Sequence, residues 1–377
     1  MSFFENHNNW PLVALKYIAM LKRGYDLPTK DRVEGGVPIY AANGVNGRHN
    51  EVKIKGPGVI TGRSGTIGKV HYTEQDYWPL NTALYVTNFH GNDPKWVYYM
   101  LCAFKLDRYV EGAGVPTLNR NLVHDELIPL PPVEEQKRIA AILDKADAIR
   151  QKRKQAIDLA DEFLRSVFLD IFGDPVTNPK GLSQAKLTEF ADVITGFAFK
   201  SAEYVEDDKA NVRLCRGANT LPGYFDWKDT AYWDSRKLSG IENYKINAGD
   251  VILAMDRPWI SSGLKVCVFP DNERDTYLVQ RVARMRPKNS LYTDYLYSSI
   301  SSKAFERHCC PTETTVPHIS PVELKNFSLL MPDEDLLKKY NDAVTTVRKS
   351  KSAMEAAWLE SNHIFDSLSQ SAFSGQL

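Results

Sequence analysis

Apolar residues recur in steps of three and four along residues 134–172, and neither Gly nor Pro interrupts them. This is the period of a helix that packs along one face, so the pattern predicts a single helix roughly 60 Å long. Prolines precede the segment and Gly173 follows it, as is typical of the two ends of a helix. The residues expected on the packed face, called the seam below, are Ile139, Ile142 or Leu143, Ala146, Ile149, Ile157 and Leu164.

The C-terminal part of the chain predicts a second long helix. A shift of 201 positions places Leu118 on Ile319 and Phe172 on Phe373 without a gap, which indicates an internal repeat. A rod of this length cannot bury an apolar seam alone, so the two helices are expected to be partners. The seam residues expected on the second helix are Val347, Met354, Trp358, Ile364 or Phe365, and Leu368.

The segments before the two helices mix short strands with turn-rich loops. The strand predicted at 37–40 corresponds to 212–215, and the stretch 78–86 corresponds to 277–285. Each segment also contains a shorter predicted helix, at 93–110 and at 293–309. The sequence therefore predicts an α+β protein of four parts: a mixed α/β domain at 1–132, a long helix at 133–174, a second domain at 175–332 and a second long helix at 333–377.

Composition narrows the class of protein. A length of 377 residues favours two or three domains, and no apolar run approaches the 18 residues of a membrane span. Five scattered cysteines are typical of a reducing cytoplasm, where we expect the protein to be found. Lys plus Arg equal Asp plus Glu at 47 each, whereas a self-sufficient DNA-binding protein usually has a basic excess. DNA binding would therefore need local basic patches or a partner that supplies phosphate contacts.

The chain carries few signs of catalysis. It lacks GxGxxG after a strand, GxxxxGK[ST], HExxH, GxSxG and any CxxC pair. The glycine-rich stretch TGRSGTIGKV at 61–70 could cradle a DNA phosphate or simply form a tight turn between strands. Asp333 stands where a helix is expected to start, so acidic capping explains it better than a nuclease metal site does. No cofactor and no metal are expected in this chain.

Side chains suited to reading DNA lie on the turn-rich loops of both segments. Arg pairs with guanine, Asn and Gln pair with adenine, and Lys and Ser bind phosphate. The first segment offers Asn43, Asn46, Arg48, His49, Arg63, Ser64, Thr66, Lys69, Asn81, Thr82, Thr117 and Asn119. The second offers Arg216, Asn219, Arg257, Trp259, Ser261, Ser262, Lys265, Gln280, Arg281, Thr315 and His318.

The stretch GVPTLNRNLVHDELIPLPPVEEQKRIAAILDKAD at 114–147, followed by FGDP at 172–175, resembles the specificity subunit of Type I restriction–modification enzymes. The family pattern has a Thr, then Asn-Leu, a Pro-Leu-Pro-Pro run, and Glu-Gln before a long helix. In this sequence the matching positions are Thr117, Asn119 or Asn121, Leu122, residues 129–132, Glu135 and Gln136. The domain–helix repeat matches the family over essentially the whole chain.

The resemblance implies a non-catalytic subunit with two target recognition domains, each reading one half of a split, asymmetric sequence in double-stranded DNA. The two long helices would form an antiparallel coiled coil that sets the spacing of the half-sites. Two modification subunits, which carry S-adenosylmethionine and the methyltransferase site, would dock on this chain. Restriction subunits, which use ATP and magnesium for translocation and cleavage, would complete the complex.

Two other classes of protein remain open at this stage. One is a fused enzyme that cuts or methylates DNA by itself, although the chain lacks the Asn-Pro-Pro-aromatic stretch expected of an amino-methyltransferase. The other is a coiled-coil scaffold without a DNA role, which leaves the two matched globular repeats unexplained. The second repeat also has one proline and no glutamine at 331–338, so equivalent docking of partners at both repeats is open.

Overall fold

The structure is a computed structural model that describes residues 3–111, 115–310 and 318–377. Its internal contacts divide the chain into two compact units. Unit 1 comprises residues 1–156 and 354–377, and unit 2 comprises residues 157–353. Each unit therefore takes in one globular segment and half of each long helix.

Unit 1 contains eleven strands in its described part, and the first long helix starts there. The strands are β1 (Leu12–Ala14), β2 (Met20–Arg23), β3 (Val37–Ala41), β4 (Gly44–His49), β5 (Gly58–Gly62), β6 (Val70–Thr73), β7 (Trp78–Pro79), β8 (Ala83–Asn88), β9 (Val110–Glu111), β10 (Thr117–Leu118) and β11 (Leu127–Pro129). The helices are α1 (Pro94–Phe104), α2 (Arg120–His124) and α3 (Val133–Phe172).

The strands of unit 1 form two main sheets. One is a four-stranded antiparallel sheet in the order β2-β8-β5-β6, and the other has the order β4-β3-β7 with β3 and β7 parallel. Strand β1 pairs with β11, and β9 pairs with β10. Helix α1 covers the larger sheet with Trp96, Met100 and Phe104, which share one face as the sequence predicts and are buried in the core of the unit.

Unit 2 holds the remaining strands, four short helices and the start of the last long helix. The strands are β12 (Gln184–Lys186), β13 (Ala191–Thr195), β14 (Val212–Cys215), β15 (Thr220–Leu221), β16 (Tyr224–Phe225), β17 (Ala231–Trp233), β18 (Val251–Ala254), β19 (Trp259–Ile260), β20 (Gly263–Leu264), β21 (Val266–Val268), β22 (Thr276–Leu278), β23 (Val282–Pro287) and β24 (Ser328–Leu330). The helices are α4 (Leu187–Phe190), α5 (Tyr292–Ile300), α6 (Lys303–Cys309), α7 (Pro321–Asn326) and α8 (Glu334–Ser374).

The sheets of unit 2 repeat those of unit 1. The order β13-β23-β18-β21 corresponds to β2-β8-β5-β6, and β17-β14-β22, with β14 and β22 parallel, corresponds to β4-β3-β7. The pair β12-β24 corresponds to β1-β11. The main sheets of the two globular segments therefore share one topology, as the internal repeat in the sequence indicates.

The first half of α3 packs on the end of α8 within unit 1. Ile139 and Leu143 share a buried cluster with Phe373. Further along α3, the Arg150 guanidinium lies 4.3 Å from the centre of the Phe365 ring, and Arg153 donates to the carbonyl oxygen of Ala357. Residue numbers rise along one helix as they fall along the other, so the helices run antiparallel.

The second half of α3 packs on the first half of α8 within unit 2. Lys351 Nζ donates to Asp161 Oδ1 at 2.7 Å. Closer to the end of α3, the rings of Phe168 and Phe172 lie 5.7 and 5.2 Å from the ring of Tyr340, all three being buried. This half of the pair is antiparallel as well, and it adds its aromatic residues to the core of the unit.

Two predicted seam residues do not lie in the seam. Ile149 and Ile364 are 51% and 50% exposed, so the prediction is wrong for both, and Phe365 takes the packed position beside Ile364. The sequence pattern allowed either Ile142 or Leu143 on the packed face, and Leu143 is the fully buried residue of the two. Ile139 and Ile157 are buried, and the half-buried seam positions are Ile142, Ala146, Leu164, Val347, Met354, Trp358 and Leu368.

The ends of the helices follow local chemistry. The Asp93 side chain accepts a bond from Trp96 N at the start of α1, and Asp333 accepts one from Leu336 N at the start of α8, so Asp333 is a helix cap as predicted. Helix α3 ends where Gly173 takes a φ of +83° and donates its N–H to Leu169 O at 2.8 Å.

Both shorter helices end earlier than predicted. Helix α1 stops at Phe104, and Lys105 follows in the left-handed region with a φ of 55°. The segment expected as one helix at 293–309 is divided into α5 and α6. Serines at 301 and 302 occupy the break, and serine favours helix ends because its hydroxyl competes for backbone groups; Ser302 is the residue that precedes α6.

Gln136 joins the start of α3 to the start of α1. Its Oε1 accepts from Asp93 N at 2.9 Å, and its Nε2 donates to Asn92 Oδ1 at 2.9 Å and to Pro131 O at 3.0 Å. The Gln136 side chain is almost fully buried, so these bonds satisfy groups that water cannot reach. In the second repeat the matching position holds Leu337, which is also buried.

We expect Leu143→Ala to lower the free energy of unfolding by about 2–5 kcal/mol, because it removes a fully buried side chain from the helix seam. Urea denaturation followed by circular dichroism measures the change. Ile149→Ala, on the same helix but half-exposed, is the matched control and should change the free energy by only about 0.5 kcal/mol. Equal effects of the two variants would contradict the assignment of the seam.

We expect Gln136→Leu to destabilise the chain by about 3 kcal/mol, because it leaves the N–H of Asp93 and the amide oxygen of Asn92 buried without this partner. The same denaturation measurement applies. Gln155→Leu, an exposed position on the same helix, is the control and should be close to neutral. A neutral Gln136→Leu would mean that the bonds made by this amide do not hold the two helices together.

Candidate nucleic-acid interface

Three distant stretches of unit 1 meet at one junction. The residues after β5 bond to the turn before β8, where Arg63 N and Ser64 N donate to Thr82 O at 2.8 and 3.1 Å. Strand β10 joins from the other side: Leu118 N donates to Arg63 O at 2.8 Å, and Thr117 forms a bridge with Ser64. The junction therefore brings together four residues predicted to contact DNA, from loops about 20 and 50 residues apart in sequence.

Beside the junction, a carboxylate that sequence reasoning missed binds Asn81, another residue predicted to contact DNA. Asp26 accepts a bond from Asn81 Nδ2, and Arg23 Nη2 donates to Asp26 Oδ1 at 3.1 Å. Arg63 Nη1 in turn donates to the backbone oxygen of Asn81 at 2.9 Å. Because an amide NH₂ has two hydrogens, Asn81 keeps a second N–H donor and its Oδ1 acceptor beside the bond to Asp26, and an amide donor and acceptor are the groups that pair with adenine.

The glycine-rich stretch at 61–70 forms a tight connection between β5 and β6. Thr61 Oγ1 donates to Lys69 O at 2.9 Å, and a Cβ on residue 62 would lie 1.7 Å from Thr66 O, so only glycine fits there. Lys69 is exposed and Thr66 is half-exposed on this connection. The tight turn is confirmed, and a phosphate contact by Thr66 or Lys69 stays a prediction.

The β3–β4 hairpin carries the other candidates of unit 1, and one of them is buried. His49 packs its ring edge-on to Trp78 with centroids 5.2 Å apart, so it belongs to the core and the prediction of a DNA contact is wrong for this residue. Asn43 is exposed. Asn46 accepts a bond from Arg32 Nη1 at 2.9 Å, and Arg48 Nη1 donates to Gly36 O at 2.5 Å, so both have partners within the hairpin region while remaining exposed.

Asn119 lies just after the junction and has a structural partner. Its Oδ1 accepts from Asn121 N at 3.1 Å and thereby caps α2. The side chain is nevertheless exposed, so this cap does not exclude a further bond to DNA.

Unit 2 forms the same junction with different side chains. Met255 N donates to Arg281 O at 2.9 Å, Ile319 N donates to Met255 O at 3.0 Å, and Asp256 forms a bridge with His318. The corresponding positions in unit 1 are those of Arg63, Ser64, Thr82, Thr117 and Leu118. The backbone frame is therefore repeated, and the side chains on it are not.

Asp256, which sequence reasoning also missed, binds two of the candidates at the junction of unit 2. Its Oδ1 accepts from His318 Nδ1 at 2.6 Å, and its Oδ2 accepts from Arg281 Nη1 at 2.5 Å. The Arg281 guanidinium, and after it His318, hold the pKa of Asp256 below its ordinary value. The carboxylate is therefore ionised at neutral pH and able to orient both partners.

The candidates on the strand ends of unit 2 divide into exposed and structural residues. Asn219 is buried: its Nδ2 donates to the carbonyl oxygens of Asp226 and Asp229, so it shapes its own loop and the prediction of a DNA contact is wrong for it. Arg216 bonds to Asp229 in the same loop and is half-buried. No signal in the sequence separates this asparagine from the exposed ones.

The remaining candidates of unit 2 surround its junction or the nearby β19–β20 turn. Burial lowers the pKa of Lys265, whose backbone N–H donates to Pro258 O at 2.7 Å. Trp259 is half-buried against Phe305, with ring centroids 6.4 Å apart. The exposed candidates are Arg257, Ser261, Ser262 and Gln280. Thr315 lies outside the described residues.

Metal-binding clusters and membrane-spanning helices are absent from the described part of the chain. Within residues 3–111, 115–310 and 318–377, no group of three or more His, Cys, Asp or Glu side chains is arranged to hold a metal ion. None of the helices described in these ranges is long and apolar enough to cross a membrane.

Comparison with known proteins points to one family. Residues 7–159 match the family model of the Type I restriction modification DNA specificity domain. The Type I restriction enzyme EcoAI specificity subunit of Escherichia coli is 28% identical over 283 residues, which cover 70% of this chain and 46% of that protein. The MjaVIII specificity subunit of Methanocaldococcus jannaschii is 24% identical over 274 residues, or 67% of this chain and 64% of its own length. The matched region thus spans less than two thirds of either relative.

Solved structures agree with the fold. The S subunit of a Type-I restriction-modification system from M. genitalium superposes with a TM-score of 0.57 at 14% identity, covering 99% of both chains. A chain of another type I R-M system gives a TM-score of 0.55 at 16% identity, covering 99% of this chain and 100% of that one. The resemblance read from the sequence is therefore confirmed: residues 7–159 match the specificity domain of Type I restriction–modification systems, and the fold of the whole chain is similar to that of a solved S subunit.

Proposed function

We propose that the chain is the non-catalytic DNA specificity subunit of a Type I restriction–modification system, and that each unit reads one half of a split, asymmetric target in double-stranded DNA. One observation carries this proposal. The same backbone junction occurs in both units, with Ser64 and Thr117 in unit 1 where unit 2 has Asp256 and His318. Base edges are read by side chains, so one frame with two sets of side chains favours two different half-sites.

The neutral net charge supports the proposal that partner subunits contribute to DNA binding. With 47 basic and 47 acidic residues, the chain has no overall excess with which to neutralise phosphates. We propose that two modification subunits, which carry S-adenosylmethionine, close around the DNA and add phosphate contacts. Restriction subunits that use ATP and magnesium would join this core for translocation and cleavage.

The long helices are proposed to set the spacing of the half-sites. Helix α3 has 40 residues and α8 has 41, and neither is interrupted. A continuous helix of this length is a stiff rod of roughly 60 Å, longer than one turn of duplex DNA.

Part of the surface of α3 is suited to a protein partner. Leu159 and Phe163 lie one turn apart on the half of the helix that belongs to unit 2, and both are exposed. Adjacent exposed apolar side chains are typical of interaction sites, which supports docking of a modification subunit here.

Deletion of the gene from its host should abolish adenine methylation at one split, asymmetric motif, because the modification subunits would lose their means of choosing sites. Methylome sequencing of host DNA with and without the gene measures this. Complementation with the unaltered gene is the control and should restore the same motif.

An unchanged methylome would contradict the proposed function. If the purified chain alone methylates or cleaves DNA when S-adenosylmethionine or magnesium is added, the chain is an enzyme rather than a specificity subunit. Deletion of the gene could instead leave the host methylome unchanged, while variants of the chain leave the DNA affinity of its complex with co-purified partners unchanged. The chain would then be a coiled-coil scaffold without a DNA role.

A further inference from the structure

The junction of unit 2 carries Asp256 with Arg281 and His318 bound to it, at positions where the junction of unit 1 has uncharged side chains. Asp256 binds Arg281 and His318, which come from segments about 25 and 60 residues away in sequence. Arg281 is 69% exposed and His318 is 56% exposed, so the cluster lies at the surface. At the matching positions unit 1 has the uncharged residues Ser64, Thr82 and Thr117.

Exposed ion pairs of this kind add little to stability, so a structural role does not account for the cluster. The local backbone supports this view. Arg257 and Arg281 have φ values of 43° and 63°, in the left-handed region that side chains with a Cβ disfavour. Two arginines occupy positions that glycine would take without strain, and such residues concentrate at functional sites.

The geometry leaves Arg281 able to read a base. Asp256 takes one N–H of the guanidinium through Nη1, and Arg281 O is tied to Met255 N. The Nε and Nη2 edge can then donate two parallel bonds, which match the O6 and N7 acceptors of guanine in the major groove. A guanidinium that is already held in place also loses less freedom on binding than one that is free in solvent.

We propose that Asp256 is a positioning residue that holds Arg281 to read one guanine in the half-site bound by unit 2. This assignment rests on the proposed function of the chain. Arg281 contacts the base, and Asp256 acts through Arg281, with His318 as the second group held on the same carboxylate. The matching positions of unit 1 hold Ser64, Thr82 and Thr117, so the half-site bound by unit 1 is read by other side chains.

The experiment measures discrimination between DNA duplexes by the chain in complex with the modification subunits that co-purify with it. The panel contains the full split target, identified from the host methylome, and duplexes in which each base pair of both half-sites is replaced in turn. Competition binding gives the ratio of affinities for the correct and the replaced pair at every position. The variants are Arg281→Ala, Asp256→Asn and Asp256→Glu.

Arg281→Ala should reduce discrimination roughly 10- to 100-fold at a single G·C pair and leave the other positions unchanged. Asp256→Asn should reduce it at the same pair by a smaller factor, and Asp256→Glu should restore most of it because the charge returns. Asp234→Asn is the matched control, since Asp234 also pairs with an arginine, Arg236, at the surface of unit 2. Asp234→Asn should leave the discrimination at every position of the target unchanged.

Other results overturn the inference. These are unchanged discrimination, an equal loss of affinity at all positions, an effect at a pair without guanine, and a loss at the same half-site that Arg63→Ala in unit 1 affects. Melting temperatures of the variant complexes exclude unfolding as the cause of an equal loss. If the unaltered complex does not distinguish its target from scrambled DNA, the proposed function itself fails, which is a separate outcome.

Discussion

Burial of the two helix seams is the constraint on which the rest of the molecule depends. A 40-residue helix with its apolar residues along one side is not stable in water unless that side is covered. Helices α3 and α8 cover each other in both units, through Leu143 and Phe373 in unit 1 and through Phe172 and Tyr340 in unit 2. The sheets then pack on the same aromatic and aliphatic clusters, and in unit 1 the buried amide of Gln136 ties the first turn of α3 to α1. The loops proposed to contact DNA therefore stand on a frame that the helix pair holds together.

Folding and the proposed DNA recognition depend on different atoms at the two junctions. Buried backbone N–H and C=O groups must be paired, and the bonds among the three segments at each junction satisfy that requirement with main-chain atoms alone. The side chains of Ser64, Thr117, Asp256 and His318 are at least partly exposed at these points, where substitution costs little stability. A frame of this kind can present Ser64 and Thr117 in one unit and Asp256 and His318 in the other without any change of topology. This separation explains how two copies of one fold could read unlike sequences.

The sequence predicts the long helices and the repeat well because both follow from periodic patterns that local chemistry enforces. Predictions from the sequence are wrong where tertiary packing decides which side chain is buried. Ile364 and Phe365 are neighbours, and either one satisfies a spacing of three or four residues from the other seam positions. Periodicity alone therefore cannot show that Ile364 faces solvent while Phe365 faces the seam. His49 and Asn219 look like loop residues in the sequence, yet His49 packs its ring edge-on against Trp78 and Asn219 donates hydrogen bonds to carbonyl groups of its own loop. Asp256 was missed because its partners, Arg281 and His318, are far away in the chain and only the junction brings them together.

The proposed function divides one target between the two units, each of which reads one half. Its most direct test is to place a photo-crosslinking amino acid at Thr117 in unit 1 or at Ser262 in unit 2, both exposed positions, and to map the crosslinked bases in the complex bound to its target. If each unit reads one half-site, crosslinks from Thr117 fall in one half-site and crosslinks from Ser262 fall in the other. Crosslinks from both positions in the same half-site, or spread evenly along the duplex, would contradict it.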